Sequence, residues 1–214
     1  MKKRNFTQAV MWITAFLPIF IAAVLYSRLP DRIPLHWSID GTVGSYGSRI
    51  ALLGLSCIGL LCTILCRVLR RFDPKHENYA RFSNAYDTVF IALNLVFLAM
   101  TLFTTAQAVY PGSISAQTFV CTVIGFLFVV IGNLMPKFKH NYFLGIRTPW
   151  TLASETVWYH THRLSGIVWF LGGLLIILSG FLPPQIGTVV LIVDIVVLIA
   201  VPTAASYLWY RKER

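Results

Sequence analysis

Residues 186–208 read IGTVVLIVDIVVLIAVPTAASYL, an apolar run broken near its middle by one acid, Asp194. About 20 mainly apolar residues carry a helix across the hydrocarbon core of a bilayer. Working outward, five further runs of this kind lie near residues 8–27, 50–69, 87–109, 113–133 and 163–182. The expected fold class is therefore all-α, a polytopic integral membrane bundle of six transmembrane helices. Composition agrees. Of the 214 residues 57% are hydrophobic and only 12% charged, against about 25% charge in a soluble domain, and the mean hydropathy is +0.69. Six spans leave no room for a large soluble domain. The segment after Lys2, Lys3 and Arg4 begins like a secretory signal. Its apolar run continues to Tyr26 and no small-residue cleavage site follows, so it is expected to stay as the first span.

The net charge of +10 does not point to direct nucleic-acid binding, because the basic residues form short clusters between apolar runs rather than a stripe. Their placement argues topology. Lys2, Lys3 and Arg4; Arg67, Arg70, Arg71, Lys75 and Arg81; Lys137, Lys139, Arg147 and Arg163; and Arg211, Lys212 and Arg214 all fall where six alternating spans meet one side. That side holds 15 of the 18 basic residues; only Arg28, Arg32 and Arg49 remain for the other. Basic residues near span ends are retained in the cytoplasm. Both termini are thus expected on the cytoplasmic side. Tyr110-Pro111-Gly112 and Pro183-Pro184 suit hairpin turns between antiparallel neighbours.

Two connections carry unusual sequence. The first, expected outside, runs Leu29-Pro30-Asp31-Arg32-Ile33-Pro34-Leu35-His36-Trp37-Ser38-Ile39-Asp40-Gly41, then Gly44-Ser45-Tyr46-Gly47-Ser48-Arg49. Leu35, Trp37 and Ile39 alternate with His36, Ser38 and Asp40 as in a short strand, and Asp40-Gly41 signals a turn. Pro30 and Pro34 stiffen the exit from the first helix. Such a surface suits contact with an external peptide or ligand; it equally suits a compact loop on the bilayer with Trp37 at the headgroups. The other connection, expected inside, runs from Asn133 to Arg163. Ser154 is placed to cap a helix beginning at Glu155, whose charge suits the positive end of the dipole. Glu155, Trp158, Tyr159 and His162 would share one face, suited to the interface.

No catalytic or cofactor motif appears: there is no HExxH, GxSxG or P-loop. His160 and His162 are two residues apart and fall on different helix faces, unlike a helical zinc pair. His36 and Asp40 lack further ligands. Cys57, Cys62, Cys66 and Cys121 lie in apolar runs without metal-like spacing and read as small packing residues. Neither a metal, a cofactor nor an enzymatic activity is expected.

The run from Asn141 to Leu152, with the core Gly145-Ile146-Arg147-Thr148-Pro149-Trp150-Thr151-Leu152 followed by Glu155, Trp158 and Arg163, resembles the signature of the SdpI family of bacterial membrane proteins. The LPDRIPLHW segment with its glycines, including Gly41, resembles the small domain of unknown function that precedes that signature. The chain then divides into a two-span region, 1–69, and a four-span region, 70–214, holding the signature loop. The resemblance implies immunity to a secreted peptide toxin met outside, with a cytoplasmic transcriptional regulator as a possible inner partner beside the lipid bilayer itself. It assigns the inner contact to Asn141, Gly145, Arg147, Thr148, Pro149, Trp150, Glu155, Trp158 and Arg163, and the outer one to Pro30, Pro34, His36, Trp37 and Gly41.

Polar residues inside the spans define the alternative reading. An ionised carboxylate at mid-bilayer costs about 2.5–3.5 kcal/mol on insertion scales, so Asp194 should face protein, with Asn94 and Gln107 as candidate partners. Asp194 suits either an ion-coupled transporter or a neutral carboxyl tying helices together. Pro18 and Pro202 are tolerated kink positions. Gly125, Gly132, Gly172 and Gly173 suit close helix approach.

Overall fold

A computed structural model describes residues 2–38 and 41–214, with side chains from residue 5 onward. Six of its helices are long and apolar enough to cross a membrane. They are α1 (Lys2–Leu25), α2 (Ile50–Leu69), α3 (Ser83–Val109), α4 (Ala116–Leu134), α6 (Glu155–Ser179) and α7 (Pro184–Glu213); the short α5 (Pro149–Ala153) lies in the loop before α6. The chain is a multi-pass helical membrane protein. α6 begins eight residues before the apolar run at 163 because Ser154 caps it, its hydroxyl accepting from Val157 N at 3.2 Å. The two predicted turns join α3 to α4 and α6 to α7. Gln107 staples the first, accepting from Gly112 N at 2.8 Å and donating to Ile114 O at 2.6 Å.

The spans form two groups, α1–α2–α3 and α4–α6–α7, with α3 on α4 joining them. The α4–α6 contact is the most extensive, and glycines explain it. A Cβ on Gly125 would stand 2.5 Å from Gly173 O, and one on Gly132 would stand 2.5 Å from Phe170 N and 2.9 Å from Gly166 O. Each helix thus carries two glycines seven residues apart, meeting in antiparallel order. Lipid tails are as apolar as leucine, so such close backbone approach supplies association energy that the hydrophobic effect cannot. Gly172 turns the other way, toward Leu198 and Asp194 on α7.

In the first group the tie is polar. Asn94, fully buried on α3, donates to Met11 O of α1 at 3.3 Å and accepts from Thr63 Oγ1 of α2 at 3.3 Å. Beside it Gly59 leaves room for the amide, since a Cβ there would lie 2.8 Å from Asn94 Oδ1. The largest buried cluster joins both groups at one end of the bundle: Met11, Tyr79, Phe82, Tyr86, Phe90, Met135, Phe138 and Trp158 belong to it.

At the other end the helices carry a two-stranded antiparallel hairpin, β1 (Arg32–Trp37) and β2 (Val43–Ser48). The glycine-rich stretch after Gly41, to which the sequence assigned no element, forms β2. Pairing demands only extended backbone there, and Gly47 clears Leu35, whose side chain would collide with a Cβ at that position. The inward face also differs. Ile33 and Pro34 are buried while Leu35 is 44% exposed, since the pairing is irregular between Pro34 and Trp37 and irregular pairing shifts which side chains face inward. Ile39 and Asp40, where strand and turn were expected to meet, lie outside the described residues. Gly41 follows at φ 84°.

Candidate functional site

The signature loop is a closed polar knot. Asn141, fully buried, accepts at Oδ1 from Phe143 N (2.9 Å), Leu144 N (2.7 Å) and Tyr79 OH (3.1 Å), and its Nδ2 donates to Lys139 O and Leu144 O. Asp73, from the α2–α3 connection, accepts from Tyr79 OH at 2.7 Å, Tyr142 N at 2.8 Å and Lys75 N at 2.7 Å. Asn78 donates to His140 O at 2.8 Å. A loop whose buried backbone groups are paired this fully is held rather than tethered.

Gly145 has φ +108°, and a Cβ there would run into His162 Nε2. Its neighbour Ile146 donates its N–H to that nitrogen at 3.1 Å, so Nε2 is unprotonated. The ring's proton then sits on Nδ1, which lies 2.9 Å from Trp158 O. His162 is thereby a neutral structural bracket between loop and helix. Trp158 stacks on it, ring centres 4.0 Å apart, and donates Nε1–H to Phe138 O at 2.9 Å. The expected interfacial face on α6 is corrected here. Trp158 and His162 are 2% and 1% exposed, while Glu155 and Tyr159 at the same helical spacing are exposed, because the knot folds back over half of that face. His160 points elsewhere, against Trp209.

Thr148 is extended, as the following proline requires, and caps α5 in a reciprocal pair with Thr151. Its hydroxyl also meets Ser206 Oγ of α7 at 3.1 Å. Pro149 starts α5 and Trp150 lies against Tyr207, ring centres 5.1 Å apart. Arg147 is exposed and donates to Tyr142 O at 2.7 Å; Arg163, also exposed, donates to Tyr159 OH at 3.2 Å. Glu155 pairs with Lys75 at 2.8 Å, and the same ammonium meets His140 Nδ1 at 2.7 Å. Burial first, and Lys75 second, push the His140 imidazole below its ordinary pKa.

At the hairpin end Arg49 closes the base, pairing with Asp31 at 3.5 Å and lying 4.9 Å from the centre of the Tyr26 ring. Trp37 packs on Phe103 of α3, centres 5.0 Å apart. It also lines a mostly apolar cavity of about 220 Å³ with Gln117, Val120, Thr188 and Leu191, and its buried Nε1–H has no acceptor among the described residues. His36 and Pro30 are exposed.

Neither expected partner reaches Asp194. Asn94 serves the first helix group and Gln107 the α3–α4 turn, and Asp194 is buried against Gly172 with Oδ2 unpartnered among the described residues. Among the described residues no group of three His, Cys, Asp or Glu is placed to hold a metal.

Residues 137–206 match the SdpI/YfhL protein family, and residues 13–60 match a domain of unknown function, DUF1648. The chain is also 24% identical over 210 residues to the immunity protein SdpI of Bacillus subtilis (strain 168), covering 98% of this chain and 97% of that one.

The chain resembles members of the SdpI/YfhL family.

No solved structure matches it. The family region opens as the chain enters the knot and closes at Ser206, the α7 residue that Thr148 touches. The DUF1648 region covers the second half of α1, the whole hairpin and the first half of α2. Asp73, Tyr79, Asn78 and Lys75 lie in neither region, yet they hold the signature in place. Sequence reading missed them because their partners stand 62 to 80 residues away. The one local signal was Asp73-Pro74, a turn pair beside a helix end.

Proposed function

We propose that this protein is a non-enzymatic membrane immunity protein, which protects its cell from a secreted peptide toxin and signals the toxin's presence inward. The observation that carries this reading is the collinear similarity to the immunity protein SdpI along 98% of the chain. The hairpin end faces outward and meets the toxin. Its buried, unsatisfied Trp37 N–H beside an apolar cavity supports that role, because an unmade buried hydrogen bond costs about 1–3 kcal/mol and a peptide carbonyl would relieve it. The knot faces the cytoplasm, as the 15 basic residues on that side support. There Arg147, Trp150 and Arg163 offer a held surface to a regulator. The test is survival of a sensitive strain lacking its own immunity protein. It is challenged with the killing factor neutralised by the family's namesake and with any secreted peptide encoded beside this chain. Protection at normal membrane levels is expected; equal killing with and without the protein would overturn the reading.

One observation favours a second reading, ion-coupled transport: the unpartnered carboxyl oxygen of Asp194 inside the bundle. Asp194→Asn separates the two. Loss of energised transport with resistance intact would support transport, and resistance intact with no transport in either protein would support immunity alone.

A further inference from the structure

A second cavity, of about 200 Å³, lies at the knot end between the 3-10 turn His76–Phe82, the loop and the start of α6. Its wall includes Arg81, Lys139, His140, Glu155, Trp158 and Tyr159. The polar groups on this wall are nearly all donors. Arg81 and Lys139 are exposed cations with no ion-pair or hydrogen-bond partner among the described residues. His140 is 6% exposed. Because the Lys75 ammonium can only donate, His140 Nδ1 accepts from it, and the proton of the neutral ring sits on Nε2. That buried Nε2–H has no partner among the described residues. The one anion on the wall, Glu155, is already neutralised by Lys75 at 2.8 Å.

Two free cations and an orphaned ring donor make a site for an anion, and its depth selects which. By length and composition the candidate spans that include α4 and α6 end at Lys137 and begin at Glu155, which would put the cavity near the lipid headgroups of a bilayer, where phosphate is the abundant anion. Arginine binds phosphate through a planar fork, lysine as a point charge and the imidazole through one N–H. We propose that this cavity binds a phosphate group, held by Arg81, Lys139 and the Nε2–H of His140. The site is independent of the immunity reading. The phosphate is borne either by a lipid headgroup or by a soluble ion, and the two are separable.

The test uses the full chain purified in neutral detergent. Phosphatidylglycerol binding is read by native mass spectrometry and inorganic phosphate binding by thermal shift. The exposed pair Arg81→Gln with Lys139→Gln should keep the fold and weaken binding about tenfold, the loss expected for a charge-assisted contact. The pair Arg211→Gln with Lys212→Gln, exposed at the end of α7 and outside the cavity, should not. A lining-specific loss for phosphatidylglycerol assigns the headgroup, and one for inorganic phosphate assigns the soluble ion. The ¹⁵N resonance of His140 Nε2 should move on saturation with whichever binds. Binding of neither, equal loss in both pairs, or an unmoved Nε2 resonance would overturn the proposal.

Discussion

Gly145 and Arg147 stand two residues apart in the signature and have opposite roles. Gly145 is architectural, because only glycine takes φ +108° with His162 so close. Gly145→Ala should cost about 1–2 kcal/mol from backbone conformation alone, and more as the bracket opens, read as a lower thermal aggregation midpoint in detergent. Arg147 is exposed and its variants should fold. Lysine should serve if bulk charge at the membrane is all that matters and fail if a bidentate contact is needed. We expect Arg147→Lys and Trp150→Ala to lower protection on toxin at unchanged membrane levels; full protection in both would make the loop structural only. His140 adds a pH dependence. Its folded pKa lies below the ordinary 6.5, so above that value the ring is neutral in both states and its contribution is complete. As pH falls below it, the unfolded chain protonates first and stability is lost. Lys75, Glu155 and Asp73 face this ring; after burial the Lys75 ammonium is the main cause of the lowering, and the two carboxylates oppose it. The midpoint should therefore drop between pH 7.5 and 5.5, and His140→Gln should flatten that slope.

Among the elements, α4 and α6 have the narrowest tolerance. A side chain on Gly173 would meet Gly125 O at 2.6 Å and Val129 N at 2.7 Å, both backbone atoms that no rotamer change can move aside. Gly173→Val should separate the helices and lower the thermal midpoint by several degrees. Gly54→Ala, with nothing within 4 Å of the new Cβ, should leave it unchanged or slightly raised, since alanine is the better helix former. The helices themselves were legible because each run of about 20 apolar residues has one solution in lipid, and the Ser154 cap was legible because capping is local. The second strand was not. Its partners are set by a hairpin whose glycines carry no alternating hydrophobic pattern. The knot was half legible: the eight-residue signature marked where it lies, but Asp73, Tyr79 and His140 come together only once α2–α3 and α4–α6 are docked.

On the scale of the whole molecule the two ends differ in kind. The hairpin end is small, sparsely charged and holds an apolar cavity with one unsatisfied donor. The knot end gathers most of the basic residues, the largest buried cluster and the half-buried Arg67–Asp87 pair at 3.4 Å. Two helix groups that share that cluster can transmit a contact at the hairpin to the knot only if the ends face opposite compartments. The immunity and signalling assignment depends on this. Single cysteines at positions 36 and 147, in a background lacking Cys57, Cys62, Cys66 and Cys121, can be probed with a membrane-impermeant maleimide. Position 36 should label in intact cells and position 147 only after permeabilisation; labelling of position 147 in intact cells would contradict the account.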